Sequence, residues 1–257
     1  EIHVFSLRHT ANGRLKRRRV FTGHEGQVRS LSVSADQKFL LSSASDKLVC
    51  TWPLSGLRAS EDRSNPATEK WGAVLTQDNG KLVIETLSAA SPLFEFGLRS
   101  GDELLELNWF SLAPDGATVV AHAVPANADA IAFLTSDDFD TIVKFSYQRP
   151  GTGPRHVQLK PHWRPLVSQT FSGGREWAAW TAPGYYASSF NGNTLFGWQV
   201  NRGIQAPPDF YRADRFQALL ERPEVLKRIL IAGSVQEAAQ AVGQRLGSSS
   251  HRLHAAL

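Results

Sequence analysis

Short runs in which apolar and polar residues alternate fill the first 56 positions of the chain, and they predict β-strands. The clearest run is 28–33, where Val28, Leu31 and Val33 are separated by polar residues. Similar runs lie at 2–7, 38–43 and 48–52, with turn-forming residues between them at 35–37 and 45–47. The first segment, 1–56, is therefore predicted to consist of short strands joined by turns.

Several residues of this segment stand at the spacing of a known repeat. Gly23-His24 precedes the run at 28–33, Asp46 lies in a tight turn, and Trp52 ends the third strand. The pattern resembles a WD repeat, which forms one four-stranded blade of about 40 residues. The resemblance implies a buried hydrogen-bonded chain on His24, Asp46 and Trp52, with the hydroxyl member supplied by Ser42 or Ser43.

The number of blades decides whether segment 1–56 can stand alone. A propeller ring has roughly four to eight blades, whereas this segment predicts one blade and the last strands of a preceding one. A single blade has two apolar faces that need neighbours. The chain begins at Glu1 and contains no Met. We therefore expect a piece of a longer polypeptide, and either its missing part or another chain completes the propeller.

A second pattern follows a stretch of linker composition at 57–68, which is polar, charged and interrupted by Pro66. Strands are predicted at 71–76 and 82–87 on either side of Asn79-Gly80, a strong hairpin signal because both residues tolerate positive φ. Ser91-Pro92 opens a short helix, and Gly101-Asp102 precedes the next strand. Apolar residues at helical spacing in 127–135 and strands at 141–149 and 156–159 complete the pattern.

This order of elements over 69–161 resembles the PDZ domain of bacterial proteases of the high-temperature-requirement type. It departs from that family at 108–124, where a predicted hairpin replaces the usual Asn-Gly turn. The resemblance implies an inserted α+β domain that binds a C-terminal peptide tail as an added strand and holds its carboxylate on a Gly-containing loop. The implied peptide-binding residues are Lys70, Trp71, Gly72, Ala73, Val74, Leu75, Ile131 and Leu134. The alternative is a groove covered by the hairpin or by packing against the propeller.

The third segment, 162–203, predicts further strands rich in aromatic residues. Its motif resembles the segment that follows the blades in bacterial proteins joining WD repeats to caspase-like protease domains. The residues that fit are Glu176, Trp177, Trp180, Thr181, Gly184, Tyr185, Tyr186, Ser188, Gly197, Trp198, Asn201 and Gly203. Segment 204–257 is predicted to hold C-terminal helices and a tail. Asp214 caps the first helix, Pro223 begins the second, and Ser234 with Glu237 forms a capping box for a helix over 235–246.

Composition and charge exclude several classes of protein. The chain has 257 residues with 14 Phe and 7 Trp, so a wholly disordered chain is excluded. Its one cysteine, Cys50, excludes a disulfide framework and a cysteine-clustered zinc site. No run of about 18 apolar residues predicts a membrane span. The net charge is only +4, and the basic run at 16–19 is too local to indicate nucleic acid.

The search for catalytic patterns predicts no catalytic residue, no metal site and no cofactor. Cys50 lies in a predicted core strand, where a cysteine usually acts as a small apolar side chain. His122, His156 and His162 lack the spacing of a metal site.

We therefore expect a mainly β protein with partial WD-type propeller blades, an inserted PDZ-like α+β domain and a short C-terminal helical segment. The predicted function is a non-catalytic interaction scaffold for a protein or peptide partner, which includes another chain that completes the propeller. The alternatives are a regulatory, non-catalytic fragment of a larger multidomain protease and a subunit of a larger assembly. A cytoplasmic location is expected, with the periplasm as the alternative.

Overall fold

The computed structural model describes residues 1–9, 13–57, 66–113, 118–126, 128–200, 207–243 and 253–256. In chain order, the strands are β1 (Ile2–His9), β2 (Leu15–Phe21), β3 (Val28–Val33), β4 (Phe39–Ala44), β5 (Leu48–Pro53), β6 (Ala73–Asp78), β7 (Lys81–Leu87), β8 (Glu103–Leu112), β9 (Val119–Pro125), β10 (Val143–Gln148), β11 (Arg155–Leu159), β12 (His162–Trp163), β13 (Val167–Phe171), β14 (Trp177–Trp180), β15 (Tyr186–Ser188), β16 (Gly197–Val200), β17 (Asp209–Arg212) and β18 (Leu253–Ala256). The α-helices are α1 (Pro66–Trp71), α2 (Pro92–Glu95), α3 (Ala128–Leu134), α4 (Gln217–Leu220), α5 (Pro223–Ala232) and α6 (Val235–Ala241). The protein is mainly β.

The chain folds as two compact units, each built from separate stretches of sequence. The first comprises Glu1, Thr22–Ser55 and Arg164–Leu257, and the second comprises Ile2–Phe21 and Gly56–Trp163. The sequence analysis grouped 1–21 with the blade residues that follow, whereas here Ile2–Phe21 folds with the stretch that begins at Gly56. Local patterns do not reveal this pairing because it joins strands that are distant in sequence.

The first unit contains a six-stranded antiparallel sheet, in the order β15-β14-β13-β5-β4-β3. Tight turns join β3, β4 and β5, and in them Gln37 and Lys47 adopt positive φ values of 56° and 65°. The neighbour of β5 is β13, in which Val167 pairs with Thr51. The chain therefore leaves this sheet after its third strand and re-enters it at β13. The sequence predicted a strand at 165–171 but did not predict that it pairs with β5.

The rest of the first unit packs around an apolar cluster. Its buried members are Ala178, Trp180, Tyr186, Phe196, Trp198, Ala213 and Leu220. A small sheet in the order β17-β16-β18 follows in the chain, so part of the predicted C-terminal tail, β18, pairs with β16. Helix α5 begins at Pro223, and Ser234 caps α6 by accepting the backbone N–H of Glu237. The end of the predicted 235–246 helix lies partly outside the described residues.

The second unit contains another six-stranded sheet, in the order β11-β10-β8-β7-β6, with β9 paired to β8. The predicted Asn79-Gly80 turn joins β6 and β7, and both residues have positive φ. Ser91 caps α2, since its side chain accepts the backbone N–H of Phe94. Asp102 is fully buried and binds the guanidinium of Arg149 through bonds of 2.8 and 3.0 Å. These contacts explain the Ser-Pro and Gly-Asp signals of the sequence.

A three-stranded sheet, β1-β2-β12, also belongs to the second unit and contains the basic run at 16–19. The Arg19 guanidinium is fully buried, lies 3.6 Å from the centroid of the Trp163 ring, and donates to the carbonyl oxygen of Glu69 at 2.9 Å. Arg18 pairs with the Glu69 carboxylate, and Arg17 pairs with Asp140 at 3.3 Å. The arginines of this run therefore hold β2 within its own unit.

Two predicted boundaries differ from the structure around residue 70. The sequence predicted a linker over 57–68 and a strand over 71–76, but Pro66–Trp71 forms α1 and β6 begins at Ala73. Residues 58–65 of the predicted linker lie outside the described residues. The aromatic and β-branched residues of 71–76 favoured a strand throughout, and the positive φ of Gly72 (70°) sets the boundary between helix and strand. Among the described residues, no sheet closes on itself.

Candidate functional site

Four side chains of the first unit form one continuous hydrogen-bonded chain. Asp46 Oδ2 lies 2.9 Å from His24 Nδ1, and His24 Nε2 lies 2.7 Å from Ser42 Oγ. Ser42 Oγ in turn accepts the indole N–H of Trp52 at 2.8 Å. Trp52 is fully buried and Ser42 is 2% exposed. The hydroxyl that the sequence left open is therefore Ser42, since Ser43 points to the opposite face of β4.

The carboxylate of Asp46 also fixes the backbone around it. It accepts the N–H groups of Glu25 and Leu48, each at 3.0 Å, and that of Gly26 at 3.3 Å. Partial burial alone would raise the pKa of Asp46, but hydrogen bonds from Leu48 and His24 outweigh it and lower the pKa below its ordinary value. An ionised Asp46 thus connects the segment before β3 with the turn between β4 and β5.

The order Ser42, His24, Asp46 matches the composition of a nucleophilic triad, but its setting does not suit catalysis. A nucleophilic hydroxyl must reach a substrate, whereas Ser42 is buried and its oxygen already accepts the Trp52 N–H. The neighbouring Cys50 is also buried, and burial raises its pKa to about 12. At neutral pH a thiol with that pKa is protonated and unreactive. These side chains stabilise the sheet.

The residues predicted as a carboxylate-binding loop begin inside a helix. Lys70 and Trp71 are the last residues of α1, and Gly72 links α1 to β6. The Trp71 side chain is buried, its Nε1 donates to the carbonyl oxygen of Leu134 at 3.0 Å, and its ring meets Phe145 edge to face at 5.2 Å. Trp71 therefore ties the C-terminal end of α3 to the domain core.

Lys70 makes a second connection to the same end of α3. Its side chain is buried, and Nζ donates to the carbonyl oxygen of Ser136 at 3.1 Å. Nζ also lies 4.9 Å from the centroid of the Phe139 ring. Burial lowers the pKa of Lys70 to about 8, although the nearby carboxylates of Asp138 and Asp137 act in the opposite direction. Lys70 is thus committed to internal contacts.

The other predicted peptide-binding residues divide between the core and the surface. Ala73, Leu75 and Leu134 are buried in the core of the second unit. Val74 is half-buried on the opposite face of β6, and Ile131 is half-buried on α3. Strand β6 is the last strand of its sheet, so among the described residues its outer edge has no paired strand. Val74 and Ile131 are therefore the predicted residues that retain partial exposure.

Sequence reasoning missed the residues that surround Gly72. The Trp163 side chain packs on this glycine, and its Nε1 donates to the carbonyl oxygen of Lys70 at 2.9 Å. Thr68 accepts the Gly72 N–H through its backbone oxygen at 3.0 Å. No local signal predicts these contacts, because Trp163 belongs to a two-residue strand that pairs with distant β2.

The motif residues of the third segment serve packing. Trp180 stacks on Phe196 with ring centroids 5.0 Å apart, and Phe196 meets Trp198 edge to face at 5.5 Å. A side chain at Gly197 would collide with Phe210, which explains the glycine. The motif residues Asn201 and Gly203 lie outside the described residues.

Two further serine–histidine pairs occur in the second unit. Ser111 Oγ lies 2.9 Å from His122 Nε2, and Ser146 Oγ lies 2.9 Å from His156 Nδ1. The His122 ring stacks on Trp109 at 4.0 Å, so it is held within the β8–β9 hairpin. The described part of the chain contains no group of three or more His, Cys, Asp or Glu side chains that could bind a metal ion. It also contains no helix long and apolar enough to cross a membrane.

Comparison with known proteins identifies one repeat. The family model described as WD domain, G-beta repeat, matches residues 15–53. This stretch covers β2 to β5 and includes the His24, Ser42, Asp46 and Trp52 network, so a WD40 repeat is present there. The match spans less than half of the chain and ends before β6. No curated protein matches the chain.

Proposed function

We propose that this protein is a non-catalytic protein-interaction scaffold with two binding surfaces, the WD40 blade and the outer edge of β6. WD40 repeats generally mediate protein–protein interaction, which supports the first surface. The inserted stretch between β5 and β13 is a PDZ-like domain whose β6 edge receives an extended peptide. The order of its elements and the position of α3 support this second surface.

One observation carries the proposal: β3 and β6 each stand at one end of a six-stranded sheet, and among the described residues their outer edges have no paired strand. The backbone N–H and C=O groups of such an edge can pair with a strand of another chain. On β3, Leu31 and Val33 are 52% and 54% exposed. Leu31 and Val33 lie on the same face of the sheet, and exposed apolar side chains on a blade face favour a protein partner, which for the blade is a chain that completes the propeller.

The nucleophilic groups of the blade argue against an enzyme of the serine or cysteine type. Ser42 is enclosed by Trp52 and His24, and the Cys50 thiol is protonated at neutral pH. The alternative function, a regulatory fragment of a multidomain protease from a bacterium, depends on the resemblance of the third segment alone. A cytoplasmic location is part of the same proposal.

The β6 surface can be tested with two random peptide libraries, one that presents free C-termini and one that presents the same length of peptide within a longer chain, both selected against the 257-residue protein. Selected peptides are synthesised, and their Kd is measured for the wild type and two variants. Ile131→Arg places a long cation on the half-buried side of α3, which packs on the same core as β6, and is expected to weaken binding about tenfold or more. Ala132→Arg is the matched control, because Ala132 is exposed on the same helix, and its Kd should stay within about twofold.

Circular dichroism and thermal melting must first show that both variants are folded. If no peptide binds at millimolar concentration, or if both arginine variants bind as the wild type does, the β6 surface is wrong. The blade surface would then stand alone as the proposed site of interaction.

A further inference from the structure

We infer that the segment bound along β6 is an internal stretch of a partner protein, without a free C-terminal carboxylate. This inference rests on the proposed function and specifies the chemistry of the partner. It departs from the expectation of a peptide tail, since the groups around Gly72 are already committed within the second unit.

The backbone amide of Gly72, which a bound carboxylate would need, is already hydrogen-bonded within the second unit. Carboxylates are captured by backbone N–H groups that point together into a loop. Here the Gly72 N–H donates to Thr68 O at 3.0 Å, as the helical bond that ends α1. Lys70 and Trp71 lie in the last turn of that helix. Freeing these donors would require α1 to unwind.

The second argument is that Gly72 is covered. A Cβ added to Gly72 would lie 2.5 Å from Ser91 Cβ and 3.0 Å from the Trp163 ring. The Trp163 indole is itself fixed by its hydrogen bond to Lys70 O. A carboxylate group is larger than a methyl group, so it cannot approach Gly72 on this side while Trp163 keeps its place.

The third argument is electrostatic. The one cation among the predicted loop residues, Lys70, is buried and donates to Ser136 O. The exposed carboxylates of Asp137, Asp138 and Asp140 follow the C-terminal end of α3, which carries partial negative charge. Arg17 pairs with Asp140, and that pairing offsets one of the three charges. A free carboxylate placed here would lose its hydration without a matching donor, whereas an internal segment carries no such charge.

An internal segment can satisfy every requirement that the β6 edge imposes. Its main-chain N–H and C=O groups pair with the outer edge of β6, and its side chains alternate between the face of the sheet that carries Val74 and the face on which α3 packs.

The test compares three forms of each peptide selected on the whole protein. One form ends in a free carboxylate, the second ends in an amide, and the third is extended by Gly-Ser-Gly-Ser. Each is titrated by fluorescence anisotropy into the 257-residue protein and into the Ile131→Arg and Ala132→Arg variants. The inference predicts that the three forms bind with Kd values within about twofold of each other and that Ile131→Arg weakens them all.

Two outcomes would overturn the inference, and only the second would also overturn the proposed β6 surface. If the amide and the extended form bind about tenfold more weakly than the free acid, the partner is a C-terminal tail, and the proposed β6 surface survives. If no form binds, or if binding ignores Ile131→Arg, the β6 surface and the inference fail together.

Discussion

The buried hydrogen-bonded chain of the blade makes Ser42→Ala the most informative stability variant. The Ser42 hydroxyl bridges two buried partners, since it lies 2.7 Å from His24 Nε2 and 2.8 Å from Trp52 Nε1. Alanine removes both bonds at once and leaves the rest of β4 unchanged. The indole N–H of Trp52, which is fully buried, then loses the acceptor that Ser42 provides.

The expected loss of stability follows from the number of buried groups that lose the Ser42 hydroxyl as a hydrogen-bond partner. A buried donor or acceptor that loses its partner costs about 1–3 kcal/mol. Two such groups, coupled through one hydroxyl and therefore not strictly additive, give a destabilisation of about 2–4 kcal/mol. The matched control is Ser43→Ala, one position along β4 on the opposite face, for which a change within about 0.5 kcal/mol is expected.

Hydrogen–deuterium exchange followed by mass spectrometry measures this effect where it occurs. Because the protein has two compact units, a global unfolding curve would mix their stabilities. Exchange of peptides covering 28–53 instead reports the opening free energy of β3 to β5. The reasoning would be refuted if the Ser42→Ala and Ser43→Ala proteins opened with free energies within about 0.5 kcal/mol of each other.

Three further predictions concern single groups. The pKa of Lys70 is about 8 in the fold and near 10.5 in the unfolded chain. Between pH 8 and pH 10.5 the unfolded chain therefore keeps a proton on Lys70 that the folded chain has released. The free energy of unfolding of the wild type, minus that of Lys70→Met, should therefore rise by about 3 kcal/mol from pH 8 to pH 10.5. A difference that does not change with pH would contradict this. Gly72→Ala should lower the opening free energy of the β6–β7 hairpin, measured by hydrogen–deuterium exchange, more than Gly80→Ala does, because both glycines have positive φ but only Gly72 is closely packed. Cys50 should react with a maleimide only in denaturant, and rapid labelling of the folded protein would show that its thiol is accessible.

The blade could be predicted from the sequence as far as its neighbouring strands. Apolar residues separated by polar ones at Val28, Leu31 and Val33 and the turn residues around Asp46 are local signals, so the hairpins of 28–53 followed from them. The pairing of β13 with β5 did not, because it joins residues more than a hundred positions apart and no periodicity encodes a partner. The choice between Ser42 and Ser43 required knowledge of which face of β4 meets Trp52.

The second unit shows the same balance between local and long-range features. The order of strands and helices, the Ser91 cap and the Asn79-Gly80 turn are encoded locally and are present. The site around Gly72 could not be predicted, since it depends on Trp163 from a two-residue strand. The basic run at 16–19 contains no local signal of a packing partner, yet Arg19 is buried against Trp163. The packing around Gly72 and the burial of Arg19 both depend on Trp163, which is distant in sequence from each of them.

Residue-resolved amide exchange of β6 tests the central claim most directly. The protein is saturated with an amidated peptide selected from the library, and exchange at Ala73–Asp78 is compared with and without it. Strand addition predicts that those β6 amides which do not pair with β7 slow by about tenfold or more, while the exposed amides of β9 keep their rates. Bound peptide with unchanged exchange along β6 would contradict the account.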